Sequence, residues 1–347
     1  MWQYRPRTMR SLSIVTATRD TSSALSPVVT IERLQMAQDT YHVPVLVREI
    51  VELFASQPAG VIVDATVGGA GHADAILAAA PQLRVLGVDR DPEAREAAGR
   101  RLAPYGDRAE IAAGAFGDLA SIVAGSALGA RGPIVGVLLD LGVSSHQLDE
   151  SSRGFSFRVD APLDMRMDPT QGETAAQYLT RVDAHELARV LRDNGEQRFA
   201  GAIAKSILRA QPTTTGELTV AVERAVPMAA RRRGHVATRV FQALRVEVNA
   251  EADQLADGLA AALDVLAIGG VVAVISYHSG EDRVVKTTLR EAETGGCQCP
   301  PELGCVCGAV GRVVVARASA RLASPAEVAR NPRARSARLR SARKVAP

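Results

Sequence analysis

Short aliphatic runs alternate with amphipathic stretches along the chain from Val43 onward. The runs are continuous and apolar, as in strands covered on both faces, and they span Val61–Asp64, Leu83–Asp89, Ala109–Ala113 and Ile134–Asp140. Helical patterns separate them, and Asp91-Pro92 is a typical helix start. Because strands separated by helices indicate right-handed crossovers, this half of the chain predicts a parallel, doubly wound α/β sheet.

The pattern changes between about residues 150 and 234, where no strand is evident. A loop over Arg153–Asp168 is followed by helical patterns at 174–179, 184–193, 196–209 and 215–226. After a long helix over about 250–266, strand patterns return at Gly269–Ser276 and Val313–Ala316. The chain therefore predicts four parts: an N-terminal extension without periodicity over 1–39, a sheet core over 40–149 and 235–340, an inserted helical domain over 150–234, and a basic C-terminal end over 341–347.

Composition is that of an ordinary globular protein. Of the 347 residues, 47% are hydrophobic and 23% charged, which is enough apolar surface for a substantial core. No aliphatic run approaches the ~20 residues that cross a bilayer, and the N-terminus lacks a continuous apolar signal segment, so we expect neither membrane insertion nor export. The four cysteines all lie between Cys297 and Cys307 and form no disulfide framework, which favours a cytoplasmic location.

The net charge of +3 conceals a strongly basic segment near the C-terminus. Between Arg312 and Lys344 stand ten Lys or Arg residues and one acid, Glu327, for a charge of +9, whereas the rest of the chain carries about −6. A run of this sign is either a solvated tail or a phosphate-backbone contact made through counterion release. Nucleic acid is therefore a candidate partner.

Candidate chemistry gathers at the predicted strand ends, where open α/β sheets bind their ligands. The glycine-rich loop Asp64–His72 follows the first strand, but its spacing does not match the dinucleotide fingerprint G-x-G-x-x-G. Asp89 ends the second strand, where an acid accepts ribose hydroxyls in both nicotinamide and S-adenosylmethionine (SAM) sites. Asp140 ends the fourth strand, where a carboxylate can hold an acceptor amine in line with a reactive methyl group.

Several sequence blocks together resemble the bacterial 16S rRNA cytosine-N4 methyltransferase (RsmH/MraW) family. The resemblance runs in collinear order from about Tyr41 to Arg340. Its blocks are Asp64–His72, Asp89–Pro92, Leu138–Ser145, Arg153–Phe157, Pro162–Asp168, Gly195–Phe199, Thr238–Arg245, Ser276–Ser279 with Glu281–Arg283, and Asn331–Arg335.

This resemblance implies a class I SAM-dependent methyltransferase with an inserted helical domain, acting on N4 of cytidine 1402 in 16S rRNA of the small ribosomal subunit. The cofactor contacts that it implies fall on Ala70, Gly71, His72, Asp89, Phe116, Asp140 and Gln147. Asp140 and His278, which follows the fifth strand, become the candidate catalytic residues. The sequence leaves open whether the protein forms a homodimer.

Two further groups of residues are candidates for binding. Aromatic and basic residues stand close together at one place in a chain with only 3% aromatics. In an RNA-binding protein, such aromatic residues stack on an unpaired base and the arginines contact phosphates. The candidates for RNA are Arg153, Phe155, Phe157 and Arg158, and the basic run Arg231, Arg232 and Arg233, with packing or a solvated turn as the alternative. A structural zinc, or else free thiols, is expected at Cys297, Cys299, Cys305 and Cys307.

Three other functions stay open at this point. A nicotinamide-dependent oxidoreductase could use the same sheet, although the broken fingerprint argues against it. A non-catalytic rRNA-binding assembly protein is a second alternative, and the retained Asp89 and Asp140 argue against it. An amino methyltransferase acting on DNA is the third, but no Pro-Pro-aromatic motif follows Asp140 to stack on a flipped base.

Overall fold

The computed structural model of the protein describes residues 44–228, 236–300, 306–317 and 319–347. Three predictions fall outside these residues: the N-terminal extension over 1–39, the arginines at 231–233, and the cysteine at 305.

A sheet of eight strands crosses the part of the chain that the structure describes. Its strands are β1 (Gly60–Asp64), β2 (Leu83–Asp89), β3 (Ala109–Ala113), β4 (Ile134–Asp140), β5 (Leu266–Ser276), β6 (Val313–Val315), β7 (Arg321–Leu322) and β8 (Arg338–Lys344). The order is β3-β2-β1-β4-β5-β8-β6, and β7 pairs with β8. The first five strands are parallel, which confirms the predicted doubly wound sheet and places its switch point between β1 and β4.

The described residues also form α-helices. They are α1 (Val47–Ala55), α2 (Gly71–Ala79), α3 (Pro92–Leu102), α4 (Leu119–Gly125), α5 (Ser145–Asp149), α6 (Ala175–Arg181), α7 (Ala184–Asp193), α8 (Ala200–Ala210), α9 (Thr215–Ala225), α10 (Val236–Val248), α11 (Glu251–Val265), α12 (Ser279–Thr294) and α13 (Pro325–Arg330). Helices α1 to α3 pack on one face, and α4, α11 and α12 pack on the other. No described helix combines the length and apolar composition that a bilayer crossing requires.

Much of the basic C-terminal segment belongs to the sheet. This corrects the sequence analysis, which considered the segment as a solvated tail or a phosphate contact. Strand β8 lies between β5 and β6 and is antiparallel to both, and it crosses the predicted boundary at residue 340. Leu339 and Ala342 point into the core, while Arg338 and Arg340 bind Asp282 of α12 at 3.0 and 2.7 Å. Removing this segment would remove β8, so its deletion would test folding rather than RNA binding.

The predicted insertion is helical and has a core of its own. Helices α6 to α9 pack around a cluster that includes Leu191 and Ile203. Helix α10, which the sequence analysis placed in the sheet core, contributes Val240, Phe241 and Leu244 to the same cluster. By packing, the helical unit therefore reaches to about residue 248.

Candidate functional site

A cleft opens at the carboxyl ends of the parallel strands, on both sides of the switch point. Its walls come from the loops that follow β1, β2, β3, β4 and β5. Six of the seven residues predicted for the cofactor line it: Gly71, His72, Asp89, Phe116, Asp140 and Gln147. The seventh, Ala70, is buried directly before α2 with a φ of 60°. The structure thus brings the predicted cofactor residues together.

The loop between β1 and α2 lets the backbone form one wall of the cleft. Gly68 has a φ of 49°, and a Cβ on Gly71 would lie 2.8 Å from Cγ of Pro44, so neither position accommodates a larger residue without strain or displacement. Helix α2 begins at Gly71, and the N-terminus of a helix offers backbone N–H groups and a positive dipole end. The loop can therefore hold a negatively charged group at this wall.

Asp89, at the end of β2, lies against the glycine loop and is held by backbone N–H groups. Its Oδ2 accepts the N–H of Gly68 at 2.9 Å, and its Oδ1 accepts the N–H of Asp91 at 2.9 Å. Burial raises the pKa of Asp89 to about 6, and the two backbone hydrogen bonds oppose this rise. Because each carboxylate oxygen has a second lone pair, Asp89 can still accept hydrogen bonds from a ligand.

Gln147 braces the cleft wall through both ends of its amide. Its Nε2 donates to Oδ2 of Asp91 at 2.8 Å, and its Oε1 accepts the N–H of Ser144 at 3.0 Å. Ser144 in turn caps α5. Gln147 therefore joins the loop after β4 to the start of α3.

Asp140, the predicted acceptor carboxylate, is fixed by three contacts. Its Oδ1 accepts the hydroxyl of Tyr277 at 2.8 Å, and its own N–H donates to Oγ1 of Thr66 at 2.6 Å. Nδ1 of His72 lies 3.7 Å from Oδ2, while Nε2 of His72 bonds the carbonyl of Val45 at 2.8 Å. Burial raises the pKa of Asp140, and the charge of His72 and the Tyr277 hydrogen bond oppose this rise.

His278 was predicted as catalytic, but its side chain caps a helix. Its Nδ1 accepts the N–H of Glu281 at 3.3 Å at the start of α12, and its Nε2 lies 2.8 Å from Oε1 of Glu281. The neighbouring Tyr277 lines the cleft, whereas His278 is absent from its walls. The contact with Asp140 thus belongs to Tyr277, which the sequence analysis did not single out.

A buried charge network forms part of the cleft wall, and sequence reasoning missed it as well. Arg245 of α10 binds Glu251 of α11 at 2.7 Å and lies 3.6 Å from Glu281 of α12. Both acids line the cleft. The network therefore ties the helical unit to the two helices that support the acceptor side of the cleft.

Arg153 and Phe155 require a correction, because neither is available to RNA. Arg153 is buried and donates to Asp91 at 2.9 Å, to Glu93 at 3.1 Å and to the carbonyls of Arg166 and Met167. Phe155 is buried in the core of the helical unit. A buried guanidinium requires carboxylate partners, and this need places Arg153 against the start of α3 rather than at the surface.

Phe157 and Arg158 keep the exposure that the RNA prediction requires. The Phe157 side chain is 40% exposed and makes an edge contact with Phe241, with ring centroids 5.1 Å apart. Arg158 is exposed beside it. Elsewhere, the sulfur atoms of three predicted zinc ligands converge, namely Cys297, Cys299 and Cys307.

Comparisons with known proteins agree with one another over most of the chain. The model of the MraW methylase family matches residues 39–345. The ribosomal RNA small subunit methyltransferase H of Heliobacterium modesticaldum is 47% identical over 312 residues, which cover 88% of this chain and 99% of that protein. Proteins of the same name from Symbiobacterium thermophilum and Frankia alni are 47% and 49% identical, each over 88% of this chain and over 97% and 96% of their own lengths.

Proposed function

Because the chain belongs to the MraW methylase family, we propose that it uses SAM to methylate the N4 amino group of cytidine 1402 in 16S rRNA of the small ribosomal subunit. The relatives above carry the name of methyltransferases of small-subunit ribosomal RNA. The observation that carries the proposal in this chain is Asp140, a cleft carboxylate that Tyr277 holds beside the glycine loop. A ribosomal substrate also agrees with a cytoplasmic location.

The cleft residues suit the parts of SAM, which supplies an electrophilic methyl group on a sulfonium. Gly71 and the first turn of α2 offer N–H donors for the carboxylate of the methionine part, next to His72. Asp89 offers acceptor oxygens for the ribose hydroxyls. Phe116, on the loop after β3, offers an apolar face for the adenine. Gln147 supports this wall through Asp91.

Asp140 is proposed to position the acceptor amine. The exocyclic amine of cytosine is a poor nucleophile because its lone pair is conjugated with the ring, so alignment must supply much of the acceleration. Tyr277 donates to Oδ1, which leaves Oδ2 to accept a hydrogen bond from the amine. Since N4 must also lose a proton, a carboxylate whose pKa is raised by burial is a better proton acceptor than an exposed one.

Recognition of rRNA is proposed to use Phe157 and Arg158 on the surface of the helical unit. Phe157 is exposed for stacking, and Arg158 can contact phosphate. The run at 231–233 stays a predicted RNA contact. Because these features are dispersed, the shape of the folded rRNA and several phosphate contacts must supply much of the selectivity for the target nucleotide. An assembled small subunit should therefore be a better substrate than a short RNA.

Transfer of a labelled methyl group from SAM tests this proposal. The substrates are small ribosomal subunits, a short cytidine-containing RNA and a single-stranded DNA, and the variants are Asp140→Asn and, as a matched control on an exposed acid, Asp107→Asn. We expect transfer to small subunits by the wild type and the control, and a loss of about 100-fold or more in Asp140→Asn. Equal transfer by Asp140→Asn would remove the acceptor role, and equal transfer to the DNA would change the substrate class.

A further inference from the structure

The segment between α12 and β6 is closed at its base, and its outer described residues, 297–300 and 306–310, here called the tip, are mostly exposed. The backbone N–H groups of Cys297 and Arg312 donate to the carbonyls of Thr294 and Ala292 at 3.2 and 2.7 Å. Beyond this base, the described residues form no helix or strand. Val306 and Val310 are 86% and 73% exposed. Apolar packing therefore does not hold the tip, and the entropy of ordering it needs another source of stabilisation.

Three thiols converge at this tip from its two sides. Cys297 and Cys299 lie on the α12 side and Cys307 lies on the β6 side, and their sulfur atoms all lie within 4.8 Å of one another. A tetrahedral zinc with Zn–S distances of ~2.3 Å separates its sulfur ligands by about 3.8 Å. A small local adjustment therefore brings all three sulfurs to the spacing of ligands on one metal ion.

The chemistry of the three groups favours a metal over a disulfide. No disulfide links any two of the three. Thiolates are soft ligands that select zinc over magnesium or calcium. Cys307 is exposed, so a metal ion can enter from solvent.

We propose that Cys297, Cys299 and Cys307 bind a structural Zn²⁺ ion that joins the end of α12 to the approach to β6. Helix α12 has 16 residues and is therefore about 24 Å long. Its first turn, with Glu281, borders the cleft, whereas the thiols follow its last turn. The metal thus lies far from the proposed chemistry, and its role is to order the tip.

Metal analysis of the full chain, purified without chelator, tests this site. The ligand variant is Cys299→Ser, and the matched control is Gln298→Ala, an exposed residue between two of the ligands. We expect about one zinc per chain in the wild type and the control and much less in Cys299→Ser. Replacement by Co²⁺ should give a sulfur-to-cobalt charge-transfer band in the first two proteins only.

Two further measurements keep this site separate from the proposed methyl transfer. Removal of the metal should increase proteolytic cleavage within residues 297–308 and leave the SAM dissociation constant from calorimetry unchanged. A metal-free chain would overturn the proposal, whether its thiols react freely or two of them form a disulfide. Zinc at wild-type content in Cys299→Ser, or loss of SAM binding with the metal, would overturn it as well.

Discussion

Removing the hydroxyl of Tyr277 tests whether its hydrogen bond lowers the pKa of Asp140. Tyr277→Phe keeps the ring and deletes the donor that lies 2.8 Å from Oδ1 of Asp140. A hydrogen bond to a charged group contributes about 1.5–3 kcal/mol, which corresponds to roughly 10- to 150-fold in rate if the bond is needed in the transition state. Because this donor stabilises the ionised carboxylate, its loss raises the pKa of Asp140 further.

The assay is the pH dependence of kcat for methyl transfer to small ribosomal subunits. If ionised Asp140 is the active form, the acidic limb of the Tyr277→Phe profile moves to higher pH, and kcat falls most at low pH. SAM affinity should change little. Tyr105→Phe is the control, because it removes a similar tyrosine–aspartate hydrogen bond of 2.5 Å, to Asp74, outside the cleft. An unchanged profile, or a parallel loss of SAM binding, would refute the tuning role.

Four other outcomes are expected. Asp89→Asn should weaken SAM binding in calorimetry by about 1.5–3 kcal/mol. Because burial raises the pKa of Asp89 to about 6, the SAM affinity of the wild type should fall below that pH. A SAM affinity that does not depend on pH would contradict this role. Arg153→Met should cost about 3–5 kcal/mol in urea unfolding, because Asp91 loses its buried cation, and a loss near zero would argue against the ion pair. Phe157→Ala should raise KM for small subunits at unchanged SAM affinity; an unchanged KM would exclude stacking. Burial raises the pKa of Asp64 to about 7, so the folded state binds this proton more tightly than the unfolded chain does. The free energy of unfolding should therefore fall as pH rises towards 7, and Asp64→Asn should remove that fall in thermal unfolding. The same pH dependence in the variant and the wild type would contradict the shift.

Hydrophobic pattern was sufficient to predict the parallel part of the sheet. Strands β2 and β4 have the predicted bounds, because strands covered on both faces are continuous aliphatic runs. Strand β8 could not be found in this way, since four of its seven residues are Arg or Lys. Arg338 and Arg340 pair with Asp282 of α12, which lies 56 and 58 positions away, and the local composition gives no sign of that pairing.

The candidate site was predictable where topology alone brings residues together. Asp89 ends β2 and Asp140 ends β4, the parallel strands on either side of β1, so their place at one edge of the sheet follows from the strand order. Contacts between distant segments were not predictable: Arg153 reaches Asp91 across 62 positions, and Tyr277 reaches Asp140 across 137. The sequence block Ser276–Ser279 pointed to the correct strand end, but the pattern could not decide which of its side chains faces the cleft.

Mass spectrometry of 16S rRNA provides the most direct test of the central proposal. The RNA would come from cells that lack this protein and from the same cells expressing either the wild type or Asp140→Asn, and fragments that contain cytidine 1402 would be compared. The account predicts a methyl group on N4 of that cytidine with the wild type, and its absence both without the protein and with Asp140→Asn. A methyl group that persists without the protein, or that appears at another atom or nucleotide, would contradict it.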